Sequence, residues 1–531
     1  MAPYPSQQQQ PLHLPHSIKP AATPTHRHGR HGNPQSHNAV PASLRRGAPT
    51  DARGLRALIK SLCASSAAAG SSAAAVHGHA AKLGLGRERT VRNSLIALYL
   101  ASGDRAAAGA LFHGFPDGSR DVVSWTAMVT GHTRLGLADE AVALFFAMME
   151  EEDDDDLGVD AVAAAAGFAA CAELKDLAIA MDAHRRVAAK GVALDAVAWN
   201  AMVDMYAKCG DVAAARRWFA RMPATAGKNV VSWNTMISAL SRAGEHGEAL
   251  ALFREMQLAG DARPDDATLV AVLGACAHLG ALDTGRWVHA YVARQHGRLA
   301  ADGVVGNALI DMYAKCGEVD HAMEMFDAMA TRDVYTYASM IMGLATHGRA
   351  DDALGMFDEM RRAGVRPNGV ALLGVLAACC HAGRVDDGLR HLRDMAAMCH
   401  GVAPGIEHYG CAVDMLGRAG RLDEAEELVA AMPMAPDALV RGSLLAACRA
   451  RGDVERAERV MRWMDVGDDG GDSGDHVLMS NMYAARARHG RVVRLRKKMK
   501  EKNLVKEPGC SVIEIDGVVH EFRAVPANSI K

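Results

Sequence analysis

Residues 198–222 read AWNAMVDMYAKCGDVAAARRWFARM, and residues 306–329 read GNALIDMYAKCGEVDHAMEMFDAM. The two stretches share a heptapeptide, Asp204–Gly210 in one and Asp311–Gly317 in the other, and keep the same apolar positions around it. A third stretch, SWNTMISALSRAGEHGEALALFREM at 232–256, has the same skeleton with different surface residues. Weaker copies begin near Val122, Val334, Ile406 and Ala438. Self-similarity of this kind marks a chain built from stacked units rather than one globular core.

Each copy has the pattern of two helices. In the copy that starts at Val230, Trp233, Met236, Ile237 and Leu240 recur at helical spacing and form one apolar stripe. Gly244 breaks the run, and Ala249, Leu252, Phe253 and Met256 form a second stripe that Gly260 and Pro264 end. A lone helix pair this short cannot bury both stripes, so neighbouring pairs must stack and share a continuous core. The expected fold is all-α: a right-handed solenoid superhelix of tandem helix-turn-helix repeats, with one helix of each pair lining the concave face.

Composition agrees. Of 531 residues, 50% are hydrophobic but only 5% aromatic, a balance that favours helices packed through Ala, Leu and Met. No apolar run reaches the 18 or so residues of a membrane span. The net charge of −3 counts against a protein that holds nucleic acid mainly through phosphates; recognition through base edges makes no such demand. The 11 cysteines include no C-x-x-C pair, so a zinc ribbon or thioredoxin-like motif is absent. Cys171, Cys276, Cys379 and Cys448 each follow Ala at a recurring position, as small residues buried between helices do, and a reducing compartment is implied.

Residues 1–52 stand apart. The first acidic residue is Asp51, whereas Lys19, Arg27, Arg30, Arg45 and Arg46 precede it among many Pro, His and Ser. An acid-poor, Arg- and Ser-bearing leader is expected of an organellar transit peptide, with the mitochondrion favoured over the chloroplast. The acidic run Glu150–Asp156 reads as a solvated loop insertion.

The wording of the repeat, V-x-W/Y-N, a Gly about ten residues on, then A-x-x-x-F-x-x-M and G-x-x-P-D/N, resembles the pentatricopeptide repeat over roughly 53–509. Copies at 122–160, 230–265 and 334–368 resemble its standard form, those at 161–195, 266–302 and 369–405 its long form, and those at 89–121, 196–229, 303–333 and 406–437 its short form; 53–88 is a degraded long copy. This alternation is similar to the land-plant subclass of the family. Residues 53–437 are thus expected to be repeats, 438–509 to be the two E motifs that end many members, and 510–531 a truncated C-terminal extension. Pro508–Ser511 and Ile513–Asp516 look like the entry to the cytidine-deaminase-like domain of some relatives. The H-x-E at His246–Glu248 has no C-x-x-C partner and reads as surface sequence at the start of a second helix. No catalytic activity, metal or cofactor is expected.

The resemblance also implies which residues read RNA: the fifth residue of a repeat and its last residue together select one base. Asn93 with Asp121 would take U, Thr126 with Asp160 G, and Asn200 with Asn229 a pyrimidine. Asn234 with Asp265, and Asn307 with Asp333, would each take U. Val123, Val197, Val231 and Val304, at second positions, would be apolar plates between which bases are sandwiched. Ala338 with Asn368, Gly410 with Asp437, and the long copies carrying Ala165, Val270 and Leu373 are unreadable. A carboxamide offers both a donor and an acceptor to a base edge, which gives such a code a physical basis. The implied function is an organellar single-stranded RNA-binding protein, a site-recognition factor for C-to-U editing that recruits a deaminase in trans. The alternatives are a protein–protein scaffold, or an RNA stability or splicing factor. The basic stretch Arg491 to Lys506 reads as a solvated face, an RNA-backbone contact or a docking surface for the deaminase.

Overall fold

The computed structural model describes residues 49–523 except 65, 116–119, 152–157, 224–226, 297–302, 400, 465–472, 502–503, 505–509 and 516–517. The leader lies outside these residues up to position 48, as does most of the acidic run. The described residues carry 26 α-helices and fall into two compact units, 1–102 and 103–531.

In the first unit, helices Ala52–Cys63, Ser66–Lys82 and Arg89–Ala101 enclose Leu55, Ile59, Val76, Leu95 and Ile96. The phenol of Tyr99 meets the His77 ring nitrogen at 2.9 Å.

The second unit is a solenoid of helix pairs, as the periodicity predicts. The copy at 230 forms helices Val230–Arg242 and His246–Ala259. Both of its apolar stripes, Trp233, Met236, Ile237 and Leu240 on the first and Ala249, Leu252, Phe253 and Met256 on the second, are buried. Gly244 turns the chain between them at φ +78°, a left-handed conformation that side-chain-bearing residues rarely adopt.

First helices stack on first helices down the unit, each second helix packing against its own first helix and, in most pairs, against the next one. Small residues allow this close spacing. A Cβ at Gly343 would lie 2.5 Å from the Cβ of Ala314, and one at Gly374 would lie 2.9 Å from Ile341 and 3.1 Å from the Met342 nitrogen. Cysteines occupy similar gaps: Cys209 donates its S–H to the Cys171 carbonyl at 3.7 Å, and Cys316 to that of Cys276 at 3.8 Å. Burial pushes the Cys171 thiol up to about 12, so it packs as a small apolar group rather than a nucleophile.

The all-α expectation misses one element. Cys510–Ile515 and Val518–Arg523 pair as an antiparallel hairpin, with Ile515 opposite Val518 across the turn. Two runs rich in β-branched residues, Val512-Ile513-Glu514-Ile515 and Val518-Val519, on either side of Asp516-Gly517 are the local signature of such a hairpin. It docks far back along the solenoid: the Glu514 carboxylate accepts from the Asp283 and Thr284 backbone N–H groups at 2.8 and 3.1 Å and from the Thr284 hydroxyl at 2.7 Å. An acid so placed satisfies donors that helix Leu282–His296 leaves open at its N-terminus.

Because Gly374 faces backbone, Gly374→Val cannot be absorbed by a side-chain rotation alone. We expect a loss of about 1–3 kcal/mol of stability, read as a lower thermal midpoint in circular dichroism, with Gly355→Val, which faces open space, as the milder control.

Candidate nucleic-acid interface

Every first helix from Val122 onward needs an N-terminal cap, and the residue just before it supplies one in most copies. Asp121, Asp160, Asn229, Asp265, Asp333, Asn368 and Asp437 each accept a backbone N–H from the first turn of the helix they precede. The last position of one repeat is therefore the N-cap of the next. Capping alone explains an Asp or Asn there, including in the unreadable copies.

What capping does not explain is the fifth residue of the preceding repeat. The Asn234 amide donates to Asp265 Oδ1 at 2.8 Å, and the Asn307 amide donates to Asp333 Oδ1 at 3.2 Å. Two residues 31 and 26 positions apart are thus brought into one polar pair. Burial pushes the Asp265 carboxyl up, but hydrogen bonds from the Thr268 backbone, the Asn234 amide and the Thr268 hydroxyl outweigh it and hold it below the ordinary carboxylate range. Asp333 is held low by the corresponding balance with Thr336 and Asn307. Both carboxylates stay anionic near neutral pH. A depressed folded value adds stability above the unfolded one, and that stability is lost as pH falls through the folded value.

Two of the other expected positions differ. Asn200 lies half-buried on helix Ala196–Lys208 and makes no hydrogen bond to Asn229 among the described residues. Thr126 turns its hydroxyl back to the Val122 carbonyl at 2.6 Å. Asn93 is buried on its helix in the first unit, and Asp121 caps Val122–Arg134 in the second. Ala338 is buried.

The second-position residues emerge clearly. Val123, Val197, Val231 and Val304 are exposed at 55, 65, 53 and 69%; one exposed aliphatic residue is ordinary, but these recur at one register of successive first helices. Each lies one turn from its fifth-position residue, on the same helix face. The reading of the sequence missed equivalent residues: Val162, Tyr335, Val370 and Leu439 hold the same register and are as exposed. Their signal was an apolar residue two places after the cap in most copies.

Charge is not concentrated here. Much of the basic surface is spent on ion pairs between neighbouring repeats, such as Arg349–Asp320, Arg384–Asp351 and Arg421–Asp386, each at 2.7 Å. In the basic helix His489–Glu501, Arg491 pairs with Glu458, as does Arg488 just before it, while Arg496 reaches Ser480. His246 opens the second helix His246–Ala259, and Glu248 two places on pairs with Arg216 at 2.6 Å. The described residues contain no metal-holding group of His, Cys, Asp and Glu side chains. The arrangement is suited to a flat, hydrogen-bonding ring held beside an aliphatic side chain and read by an amide.

Comparison with known proteins identifies the repeats themselves. Sequence patterns of the PPR repeat match residues 123–152, 197–224, 307–334 and 407–435, those of the PPR repeat family match 228–278 and 332–381, and the E motif matches 451–514. The pentatricopeptide repeat-containing protein At4g38010 of Arabidopsis thaliana is 39% identical over 441 residues, covering 83% of this chain and 76% of that protein. Its relative At2g22410, designated mitochondrial, is 36% identical over 473 residues, 84% of this chain and 68% of that one. The chain spans 52% of a third, At5g48910, at 45% identity over 349 residues and 66% of its own length. The crystal structure of the pentatricopeptide repeat protein PPR10 in complex with an 18-nt psaJ RNA element aligns with a TM-score of 0.50 at 15% identity, covering 87% of this chain and 76% of that one, a likeness of fold.

The two duties of Asp265 separate by substitution. Asp265→Asn keeps a cap oxygen, as Asn229 and Asn368 do, and is expected to hold stability within about 0.5 kcal/mol, whereas Asp265→Ala loses about 1 kcal/mol, measured by thermal or urea unfolding.

Proposed function

Since this chain belongs to the pentatricopeptide repeat family, we propose that it is a sequence-specific single-stranded RNA-binding protein of an organelle. The observation that carries this reading is the recurring amide–carboxylate pair, Asn234 with Asp265 and Asn307 with Asp333, each with an exposed valine one turn away. An amide so held keeps one N–H and one carbonyl lone pair for a ligand, the minimum needed to recognise a Watson–Crick edge. A valine beside it supplies the apolar surface on which an unstacked base can rest. Net charge of −3 and paired surface cations favour recognition of the base over capture of the backbone.

Asn93 with Asp121, Thr126 with Asp160, and Asn200 with Asn229 complete the reading, giving the order U-G-n-Y-U-n-U from the first unit onward. The E motif match at 451–514 supports a finer assignment, a site-recognition factor for C-to-U editing whose chemistry comes from a deaminase supplied by another protein. Localisation to the mitochondrion, with the chloroplast as the alternative, rests on the basic leader and on relatives designated for each organelle.

A gel-shift titration with single-stranded RNA containing U-G-n-Y-U-n-U tests the binding. Tight binding is expected, with a loss of roughly fivefold for each of Asn234→Ala and Asn307→Ala, and a shallow salt dependence. No binding to this RNA, or no loss in either variant, would return the protein to the class of protein–protein scaffolds. Unchanged organellar cytidine editing in a line lacking the protein would remove the editing role and leave RNA stability or splicing.

A further inference from the structure

The amide–carboxylate pairs have a third member that belongs to the next repeat. Thr268 Oγ1 lies 2.5 Å from Asn234 Oδ1, and Thr336 Oγ1 lies 2.7 Å from Asn307 Oδ1. Both threonine side chains are fully buried. Each hydroxyl oxygen accepts the backbone N–H of the cap residue, Asp265 or Asp333, at 3.1 Å. Each threonine backbone N–H in turn donates to the cap carboxylate at 2.9 Å. The hydroxyl proton has two acceptors within reach, the cap carboxylate at 2.9 Å (Thr268) or 3.0 Å (Thr336) and the amide oxygen behind it, and the amide oxygen is the nearer in both.

Serine at the same place stays with its own cap residue and lacks the second contact, the one to the preceding repeat. Ser232 sits 3.3 Å from the Asn229 side-chain oxygen and makes no contact with Asn200, while Ser124 donates to the Asp121 carbonyl at 2.7 Å. Serine forms the same capping box with Asn229 and with Asp121, so its hydroxyl suffices for the helix. The β-branched threonine has a stiffer χ1, and it is the threonines whose hydroxyls reach back to the preceding repeat.

We propose that Thr268 and Thr336 are positioning residues for the repeat before their own, fixing the amide orientation of Asn234 and Asn307 so that each favours uracil over cytosine. The inference rests on the RNA-binding reading above and deepens it. The threonine holds the amide oxygen and the carboxylate holds the amide nitrogen, so a flip would turn the amide oxygen toward a carboxylate. The remaining N–H and lone pair therefore keep one order. Uracil presents N3–H between two carbonyl oxygens, whereas cytosine presents a bare N3 between an amino group and a carbonyl. A fixed amide satisfies one of these orders; one free to flip can satisfy either.

The test uses the full chain and pairs of single-stranded RNA oligonucleotides carrying U or C at the nucleotide facing Asn234, in competition binding. The wild-type protein is expected to prefer U. Thr268→Ser, which keeps the capping box, is expected to lower the U-over-C ratio about three- to tenfold, with the melting midpoint lowered only by the loss of one buried methyl. The double substitution Asn229→Asp with Ser232→Thr rebuilds the set around Asn200 and is expected to raise the ratio there beyond Asn229→Asp alone. A wild-type protein that binds without a U preference at Asn234 overturns the inference and spares the RNA-binding reading; so does an unchanged ratio in Thr268→Ser. If Thr268→Ser unfolds, the rebuilt Asn200 set decides alone, and no gain there overturns the inference. A wild-type protein that binds none of these RNAs overturns both.

Discussion

Two apolar stripes on a pair of short helices have one partner within the pair and need another outside it. Most of the architecture obeys that constraint. Trp233 and Met236 cannot be covered by Phe253 and Met256 alone, so stability is shared with the neighbouring pairs and the unit grows by stacking. Once first helices are stacked on first helices, the residues between them must be small. Gly343, Gly374 and the buried cysteines are consequences of spacing, not of chemistry. Stacking also brings the first turn of each first helix beside the first turn of the next. Side chains roughly a repeat apart in sequence then meet at regular intervals, as Asn234 and Asp265 do.

A surface produced this way is periodic before it is functional. Capping residues recur because every helix start has open N–H groups, and exposed second-position residues recur because the helix face turns outward there. The pairs Asn234–Asp265 and Asn307–Asp333 stand out because they add a contact that stability does not call for. The carboxylate of Asp265 is already satisfied by the helix it caps, yet it also holds an amide from the repeat before. Polar groups held rigid in this way lose little freedom when a ligand arrives.

Helix pairs and their core stripes were legible in the sequence because a 3.6-residue period and a glycine break leave an unambiguous imprint, as in 230–259. The second-position column was only half legible. Val123, Val197, Val231 and Val304 repeat one residue type, whereas Tyr335 and Leu439 do not, and register rather than identity unites them. The hairpin at 510–523 is marked locally by β-branched runs around Asp516-Gly517, a short signal beside the helical period that dominates the chain. Its seat on Asp283 and Thr284 could not be read, because nothing local links Glu514 to residues so far upstream. The bond from Thr268 to Asn234 was hidden for a related reason: threonine and serine look interchangeable until the direction of the hydroxyl is seen.

The cap at each repeat boundary has an implication for how such a chain can change. One side chain ends one module and starts the next helix, so it answers to two masters. Few residues can start a helix well: Asp, Asn, Ser and Thr, with Gly close behind. Whatever the last position of a repeat discriminates, its vocabulary is restricted to those letters by backbone chemistry rather than by the ligand. Variation beyond that short alphabet would weaken the helix downstream, so novelty at the surface is pushed toward the fifth position, where Asn, Thr, Ala and Gly are all found in this chain.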